Sequence, residues 1–322
     1  MTSRAGLPTI SDRDILAARG PKNRVDPRVP YAFLAEPELS PGGLVEDVAT
    51  IFLTNRECPF RCIYCDLWKN TTDTPVQRGD IPAQIDYALS RLPKTKTIKL
   101  YNSGNFFDPQ AIPREDYPAI IDRVRHFDRV IVENHPRFCG EECLRFRDAL
   151  GARLEIAIGL ETAHPEVLPR LNKRMSVEDY CAATNFLTKQ GIDVRTFVML
   201  QPPFMPVAAA VEWAARSVLV AADAGSHCVA IIPTRGGNGI LEQLAERSEF
   251  SPPTLQSLED AFDLSLAESA GGNSALRIFV DLWDIEKLYP CRACGPARKH
   301  RLARMNDSQR IMPRINCDCE AK

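Results

Sequence analysis

The stretch Glu57-Cys-Pro-Phe-Arg-Cys-Ile-Tyr-Cys-Asp-Leu-Trp68 brings three cysteines together at Cys58, Cys62 and Cys65. It follows the apolar run at 48–53, which has the length and composition of a buried strand. In α/β folds, side chains that carry chemistry lie on the loops that follow the carboxyl ends of parallel strands. The C-x3-C-x2-C segment therefore stands where a parallel α/β fold would place a site, directly after its first strand.

Further apolar runs alternate with helical stretches along the chain, as in repeated strand–helix units. The stretch at 176–190 begins with a capping pattern, Ser176 with Asp179, and ends before Gly191, a residue typical of helix C-termini. Six strand–helix pairs predict the α/β class and a partial (β/α)6 barrel of the TIM type. The predicted strands are 48–53, 97–101, 129–132, 154–159, 194–200, 228–232 and, as a seventh candidate, 276–282.

Composition divides the 322 residues into three segments. Residues 1–45 are rich in Pro and Arg and are interpreted as an N-terminal arm that packs around the core. Residues 46–290 form the predicted barrel core, and 291–322 form a small cysteine-rich metal-binding extension. Hydrophobic residues make up 44% and the net charge is −2, which is typical of a globular protein and neither demands nor excludes a nucleic-acid partner.

Two further observations bear on location. No apolar run reaches the roughly 18 residues of a membrane span. Residues 1–20 are polar and lack the apolar core of a signal peptide. The sequence therefore predicts a cytoplasmic protein without a membrane partner.

Three thiolates on one short loop can each occupy one corner of a cubane [4Fe-4S] cluster. The fourth iron is then left without a protein ligand, and such an open position lets a metal bind a substrate or cofactor. A zinc knuckle is the alternative, but structural zinc takes four ligands and no fourth Cys or His lies nearby in the sequence. The pattern therefore favours an iron–sulfur cluster on Cys58, Cys62 and Cys65.

The spacing, and its position after the first strand, resemble the motif of the radical S-adenosylmethionine (SAM) superfamily. The resemblance implies that the open iron binds the amino and carboxylate groups of SAM, and that Tyr64 packs near the adenine. It also implies that the reduced cluster cleaves SAM and that the resulting 5′-deoxyadenosyl radical abstracts hydrogen from a substrate. Such chemistry needs an electron donor, such as a flavodoxin or ferredoxin.

Polar residues follow the predicted strands at positions that the same resemblance relates to SAM. The turn at 103–105 could hold the SAM amino group, with an ordinary turn as the alternative. Glu133 and Glu161 could accept hydrogen bonds from SAM or form ion pairs at the rim. Arg195 could pair with the SAM carboxylate or face solvent. The candidate SAM contacts are Tyr64, Ser103, Gly104, Asn105, Glu133, Glu161 and Arg195.

Four elements together resemble one branch of the superfamily, which contains the catalytic subunit of Elongator and the archaeosine-synthase radical SAM subunit. They are Ser-Gly-Asn-Phe-Phe-Asp-Pro at 103–109, Val-Glu-x-x-Pro at 132–136, Ile-Gly-Leu-Glu-Thr at 158–162 and Pro-Pro-Phe at 202–204. The resemblance spans about residues 48–320. It implies a nucleoside in tRNA as the substrate.

The chain departs from this branch near the expected substrate side. Relatives usually have Arg before the proline at 136 and an acidic residue after it, whereas this chain has His135 and Arg137. Gln201 stands where Lys is common. Because fold and family do not define a substrate, two alternatives remain. One is a radical SAM enzyme that acts on a free small metabolite, and the other is a non-catalytic, metal-bound RNA-binding protein.

A second cysteine group lies in the C-terminal segment, at Cys291, Cys294, Cys317 and Cys319. Four thiolates in two short pairs match a closed structural zinc site, with a second iron–sulfur cluster as the main alternative. The segment between the pairs is basic and could contact RNA phosphates or form a solvated face. Its basic residues are Arg298, Lys299, His300, Arg301, Arg304, Arg310 and Arg314.

Four cysteines lie outside both groups. Cys139 and Cys143 have the i, i+4 spacing of a helix, Cys181 lies in a predicted helix, and Cys228 opens a predicted strand. Small buried thiols are common in protein cores, so all four are interpreted as core residues.

Overall fold

A computed structural model describes residues 10–270, 276–317 and 319. Its centre is an eight-stranded sheet in which the strands follow one another in chain order. The first two strands are antiparallel, and each later pair is parallel. The strands are β1 Ala32–Leu39, β2 Val45–Phe52, β3 Thr97–Tyr101, β4 Arg129–Glu133, β5 Arg153–Glu161, β6 Asp193–Leu200, β7 Cys228–Pro233 and β8 Arg277–Val280.

Helices connect the parallel strands and cover the outer face of the sheet, where apolar side chains such as Ile156 and Ile158 of β5 pack against them. This confirms the α/β class and the partial barrel, because the sheet is a curled half-barrel. The helices are α1 Asp12–Ala18, α2 Asp80–Leu89, α3 Tyr117–Val124, α4 Glu141–Leu150, α5 Val177–Lys189, α6 Ala210–Asp223, α7 Ile240–Glu246, α8 Leu255–Ser269 and α9 Gly295–Ser308. No helix within the described ranges is long and apolar enough to cross a membrane.

The segment interpreted as an arm contributes a strand that its sequence pattern did not indicate. β1 pairs with β2 over its whole length, from Ala32 opposite Phe52 to Leu39 opposite Val45. It contains Pro37, which lacks a backbone donor and is tolerated because β1 is an edge strand. The interior of the half-barrel therefore receives side chains from β1 as well as from the parallel strands.

A buried ion cluster shows how strongly the sheet is curled. The Arg195 guanidinium on β6 contacts Glu38 of β1 at 2.5 Å and Glu155 of β5 at 2.6 Å. In a flat sheet, five strand spacings of about 4.8 Å would place β1 about 24 Å from β6. The direct ion pair therefore requires the sheet to bend until β1 faces β6 across the interior. The two edge strands also make contact, because the Arg277 side chain of β8 donates a hydrogen bond to the backbone oxygen of Leu39 in β1 at 2.7 Å.

The same cluster corrects the interpretation of Arg195 as a partner of the SAM carboxylate. Arg195 lies in the amino-terminal half of β6, is 4% exposed, and is held by Glu38 and Glu155. Burial opposes ionisation of Glu38, but Arg195 and Lys99 outweigh it and hold the pKa of that carboxyl well below its usual range. Arg195 is therefore a structural residue.

The free edge of β8 is covered by side chains of α9. Gln309, which caps α9, accepts a hydrogen bond from the Ile278 amide at 2.6 Å and donates to the Ile278 carbonyl at 2.9 Å. Asn306 makes the equivalent pair with Val280, both at 2.9 Å. Two side-chain amides thus supply the hydrogen bonds that a ninth strand would make.

Replacement of Arg195 tests the structural role of the ion cluster. In Arg195→Met, the carboxylates of Glu38 and Glu155 lose their shared partner inside the sheet, and we expect the free energy of unfolding to fall by about 3–5 kcal/mol. The matched control is Arg216→Met, because Arg216 pairs with Glu212 on the exposed surface of α6 and should lose less than about 1 kcal/mol. Urea unfolding followed by circular dichroism measures both, and equal losses would contradict the role.

Candidate functional site

The cysteine loop lies between β2 and α2, and three hydrogen bonds to its backbone hold it in place. The Ile63 amide donates to the Leu171 carbonyl at 3.0 Å, and the Asn238 side chain donates to the Ile63 carbonyl at 2.5 Å. The Asn172 side chain donates to the Arg61 carbonyl at 2.7 Å. The loop conformation is therefore determined by segments that follow β5 and β7, far from it in sequence.

Apolar packing on the outside of the loop adds to these hydrogen bonds. Ile63 is fully buried in a cluster with Ile15 of α1 and Leu241 and Leu244 of α7. The Asp12 carboxylate at the start of α1 accepts from the Asn172 side chain at 2.7 Å. The N-terminal segment therefore packs directly on the loop that carries the cysteines.

Burial raises the pKa of the Cys58 and Cys62 thiols to about 11 and that of Cys65 to about 12. A positive charge is therefore needed to make all three into thiolates at neutral pH, and bound iron supplies such a charge. Three thiols on one loop match three corners of a [4Fe-4S] cluster and leave the fourth iron without a ligand from this loop. The donor set fits the group that the sequence pattern predicts.

The turn after β3 packs against the first of these cysteines. The Asn105 side-chain nitrogen lies 3.3 Å from Cys58 Sγ, and Gly104 lies beside the Cys58 side chain. The Ser103 hydroxyl donates to the Tyr31 hydroxyl at 3.0 Å. The predicted candidates in this turn thus lie beside the cysteine loop, but in the structure Ser103 and Asn105 contact protein groups.

Glu133 holds this turn in position. Its carboxylate accepts the Asn102 amide at 2.9 Å and also the amides of Ser103 and Gly104. Burial raises the pKa of Glu133 to about 7, although these backbone donors oppose the shift. The carboxylate therefore binds the backbone of the turn. It does not form the ion pair at the rim that was the alternative interpretation of Glu133.

A buried ion pair lies opposite the cysteines. The Glu161 carboxylate at the end of β5 contacts Lys173 Nζ, which also lies 3.3 Å from the Tyr64 hydroxyl. Burial lowers the pKa of Lys173, but the Glu161 carboxylate outweighs it and raises the pKa above its usual value. A Cβ at Gly159 would overlap both charged groups, so only glycine leaves room for the pair.

Sequence reasoning missed Lys173. The residue follows a short 3₁₀ turn rather than a strand, and its neighbours Asn172 and Arg174 have positive φ angles of 54° and 59°. The sequence signal for Lys173 is the pair of charged residues in the stretch Leu-Asn-Lys-Arg at 171–174. An exposed turn would have the same pattern, so the sequence alone does not identify the residue. Burial raises the pKa of the Cys62 thiol, and Lys173, which is 8% exposed, offsets part of that rise with its positive charge.

His135, one of the departures from the related branch, joins two parts of the site. Its ring stacks on Phe60 of the cysteine loop with 4.0 Å between centroids. Nδ1 accepts from the Arg137 amide at 3.1 Å, so Nε2 carries the proton and donates to the Lys173 carbonyl at 3.0 Å. Burial lowers the pKa of His135 to about 4, so the ring is neutral at physiological pH.

Strained backbone marks the same edge of the sheet. Ser103, Glu161 and Gln201 follow or end β3, β5 and β6, and their φ angles are 52°, 66° and 58°. Positive φ is costly for residues other than glycine and concentrates at functional sites. These three positions support the carboxyl edge of the half-barrel as the functional edge.

The C-terminal cysteines form a second candidate metal site. Sγ–Sγ distances are 3.4 Å for Cys291–Cys294, 3.7 Å for Cys291–Cys317 and 3.6 Å for Cys294–Cys319, and all four sulfurs lie within 4.8 Å of one another. Four sulfurs at about 2.3 Å from one tetrahedral ion would be about 3.8 Å apart. The geometry therefore fits a single tetrahedral metal ion.

Three of the seven basic residues between the two cysteine pairs form ion pairs with carboxylates of α8. Arg298 pairs with Glu259 of α8 at 2.5 Å, and Arg301 pairs with Asp263 at 2.7 Å, both with buried guanidinium groups. Arg314 also contacts Asp263, at 2.6 Å. These three cations hold α9 and the following segment against α8, which weakens their interpretation as RNA contacts.

Substitution of Gly159 tests the enclosure of the Glu161–Lys173 pair. In Gly159→Ala, the added methyl group must displace both charged groups, and we expect the free energy of unfolding to fall by about 1–3 kcal/mol. Gly42→Ala is the control, because its Cβ would meet only Ser40 Oγ at 3.7 Å. If urea unfolding gave the same result for both variants, the pair would not be enclosed as described.

The C-terminal sulfur cluster predicts a bound metal that does not depend on the first cysteine group. We expect about one tetrahedral ion per chain from this site, and its loss in Cys294→Ser. Cys181→Ser should keep the ion, because Cys181 lies in α5 outside both groups. Elemental analysis measures the metal content of each variant, and an equal content in the two would contradict a metal site at the C-terminal cysteines.

Comparisons with known proteins agree with this arrangement. Residues 52–207 match the model of the radical SAM superfamily. Archaeosine synthase subunit beta of Methanosarcina acetivorans is 26% identical over 275 residues, which cover 81% of this chain and 78% of that protein. An uncharacterised protein of Methanocaldococcus jannaschii is 24% identical over 295 residues, which cover 85% of this chain and 79% of that one.

Among solved structures, Streptococcus suis SuiB bound to S-adenosylmethionine is similar in fold, with a TM-score of 0.54 and 8% identity. The similarity covers 76% of this chain and 49% of SuiB, so the chain spans about half the length of that protein. The matched family segment contains the three-cysteine loop, the turn after β3, Glu133, Glu161 and Lys173. Residues 52–207 therefore carry a radical SAM domain, which supports an enzyme, and the chain is similar to archaeosine synthase subunit beta.

Proposed function

We propose that the chain holds a [4Fe-4S] cluster on Cys58, Cys62 and Cys65 and uses it to cleave SAM. The observation that carries the proposal is the set of three half-buried cysteines on one loop, which lies beside the Glu161–Lys173 pair. When bound, the cluster supplies the electron that cleaves SAM to a 5′-deoxyadenosyl radical, which abstracts hydrogen from the substrate. The residues of the chain bind and orient the reactants and exclude water.

The charges at the site match the amino-acid part of SAM. The ammonium and carboxylate groups of SAM have opposite charges, and Glu161 and Lys173 offer the complementary ones on neighbouring atoms. The Tyr64 hydroxyl lies 3.3 Å from Lys173 Nζ, so the residue that the resemblance relates to the adenine borders the same pair. Glu133 supports the turn at 103–105 and so acts on SAM binding through that turn.

A nucleoside in tRNA is the substrate that the relatives favour. The chain covers 78% of the archaeosine synthase subunit beta of Methanosarcina acetivorans and 63% of that of Thermococcus kodakarensis, at 26% and 25% identity. A free small metabolite is the alternative. The non-catalytic RNA-binding function is less favoured, because three of the seven basic residues between the C-terminal cysteine pairs are paired with carboxylates of α8.

Zinc is the metal that we propose for the C-terminal site, because one tetrahedral ion on four thiolates is typical of structural zinc. An electron donor such as a flavodoxin or ferredoxin would reduce the cluster. We further propose a cytoplasmic location, since thiolate-bound iron and the free thiols at both cysteine groups require a reducing compartment.

Cleavage of SAM tests the proposed function. After anaerobic reconstitution to about four irons on the first cysteine group, the protein with SAM and dithionite should form 5′-deoxyadenosine. Cys62→Ala should lose this activity, while Cys181→Ala, which changes a cysteine outside both groups, should keep it. Product should form faster with tRNA if a nucleoside in tRNA is the substrate, and an unchanged rate would favour a small metabolite. Absence of product from the loaded protein would contradict the proposal.

A further inference from the structure

We propose that Asn105 is a positioning residue that raises the reduction potential of the cluster through a hydrogen bond to the sulfur of Cys58. The inference rests on the proposed function, because it requires a cluster on the three-cysteine loop. It gives Asn105 a task different from the contact to SAM that the family resemblance implies.

The contact itself is direct and shielded. Asn105 Nδ2 lies 3.3 Å from Cys58 Sγ, and the residue is 3% exposed. Water therefore competes little for the amide hydrogen. A ligating thiolate bears negative charge, so this N–H···S bond becomes charge-assisted when iron is bound.

The backbone around Asn105 is held on both sides, which fixes the position from which its side chain reaches Cys58. On one side, the Glu133 carboxylate accepts the Asn102 amide, and Ser103 has a φ of 52°. On the other side, the Asp108 amide donates to the Asn105 carbonyl at 3.2 Å, and the Phe106 amide donates to the Glu133 carbonyl at 2.8 Å. The turn therefore keeps the side-chain donor of Asn105 within reach of the sulfur.

A fixed donor at a ligating sulfur affects the two redox states unequally. The reduced cluster carries one more negative charge than the oxidised cluster, and part of that charge lies on the thiolate sulfurs. A hydrogen bond to sulfur therefore stabilises the reduced state more, and hydrogen bonds to the sulfurs are among the factors that set cluster potentials. Since the proposed cleavage of SAM starts from the reduced state, Asn105 raises the fraction of protein that is ready to react.

The structure contains a matched control for this bond. Asn134 donates from Nδ2 to the Sγ of Cys139 at 3.4 Å, and it is 4% exposed. Cys139 belongs to neither cysteine group. Asn134→Ala therefore removes the same kind of contact from a sulfur that binds no cluster.

The test is a redox titration of the reconstituted protein without SAM, followed by electron paramagnetic resonance. Asn105→Ala should lower the ratio of reduced to oxidised cluster about tenfold at a given solution potential, a shift of about 59 mV for one electron. Asn105→Asp has nearly the same shape but places an acceptor at the sulfur, so it should shift the ratio in the same direction. Asn134→Ala should leave the ratio unchanged.

Two results would overturn the inference. One is an unchanged potential in an Asn105→Ala protein that retains its iron and its resonance signal. The other is an equal shift in Asn134→Ala. If SAM affinity fell while the potential stayed the same, Asn105 would be a SAM contact instead. Failure of the wild-type protein to take up iron on the first cysteine group would refute the proposed function itself, and iron analysis separates that case from the others.

Discussion

The architecture depends on one shared cation, the guanidinium of Arg195, which binds carboxylates from both Glu38 and Glu155. A sheet of eight strands tends to stay open, and this contact brings its first strand across to its sixth. The curling near the amino ends of the strands also brings their carboxyl ends together, and there the cysteine loop meets the end of β5. The ion pairs among these residues offset the cost of burying their charges. The interior is therefore polar near the amino ends of the strands, and the cysteine loop lies at their carboxyl ends.

In the candidate site, one loop carries the three cysteines, and other segments of the chain hold that loop in place. The cysteines follow β2, but their backbone is held by the segment at 171–172 and by Asn238, and His135 stacks on the same loop. Support from several strand ends preorganises the loop, because cysteines on an unsupported loop would be too mobile.

Sequence analysis predicted the parallel strands well, because strands buried on both faces read as continuous apolar runs. It missed β1, whose inward residues are charged and whose Pro37 argues against a strand. That omission also explains the error at Arg195, since its partner Glu38 was not visible as a strand residue. The cysteine loop was placed correctly after the first parallel strand, because the motif is local. Lys173 could not be found, because its function depends on a contact with Glu161 that only the folded chain creates.

The covering of β8 by Asn306 and Gln309 has a consequence for the behaviour of the protein in concentrated solution. An uncovered strand edge can pair with the edge of another molecule and start aggregation. The two amides satisfy that edge from a helix, and the helix is fastened at one end by the sulfur cluster and along its side by Arg298 and Arg301. A metal ion at these cysteines would hold the end of the helix that covers this edge, and would so link metal binding to resistance against self-association.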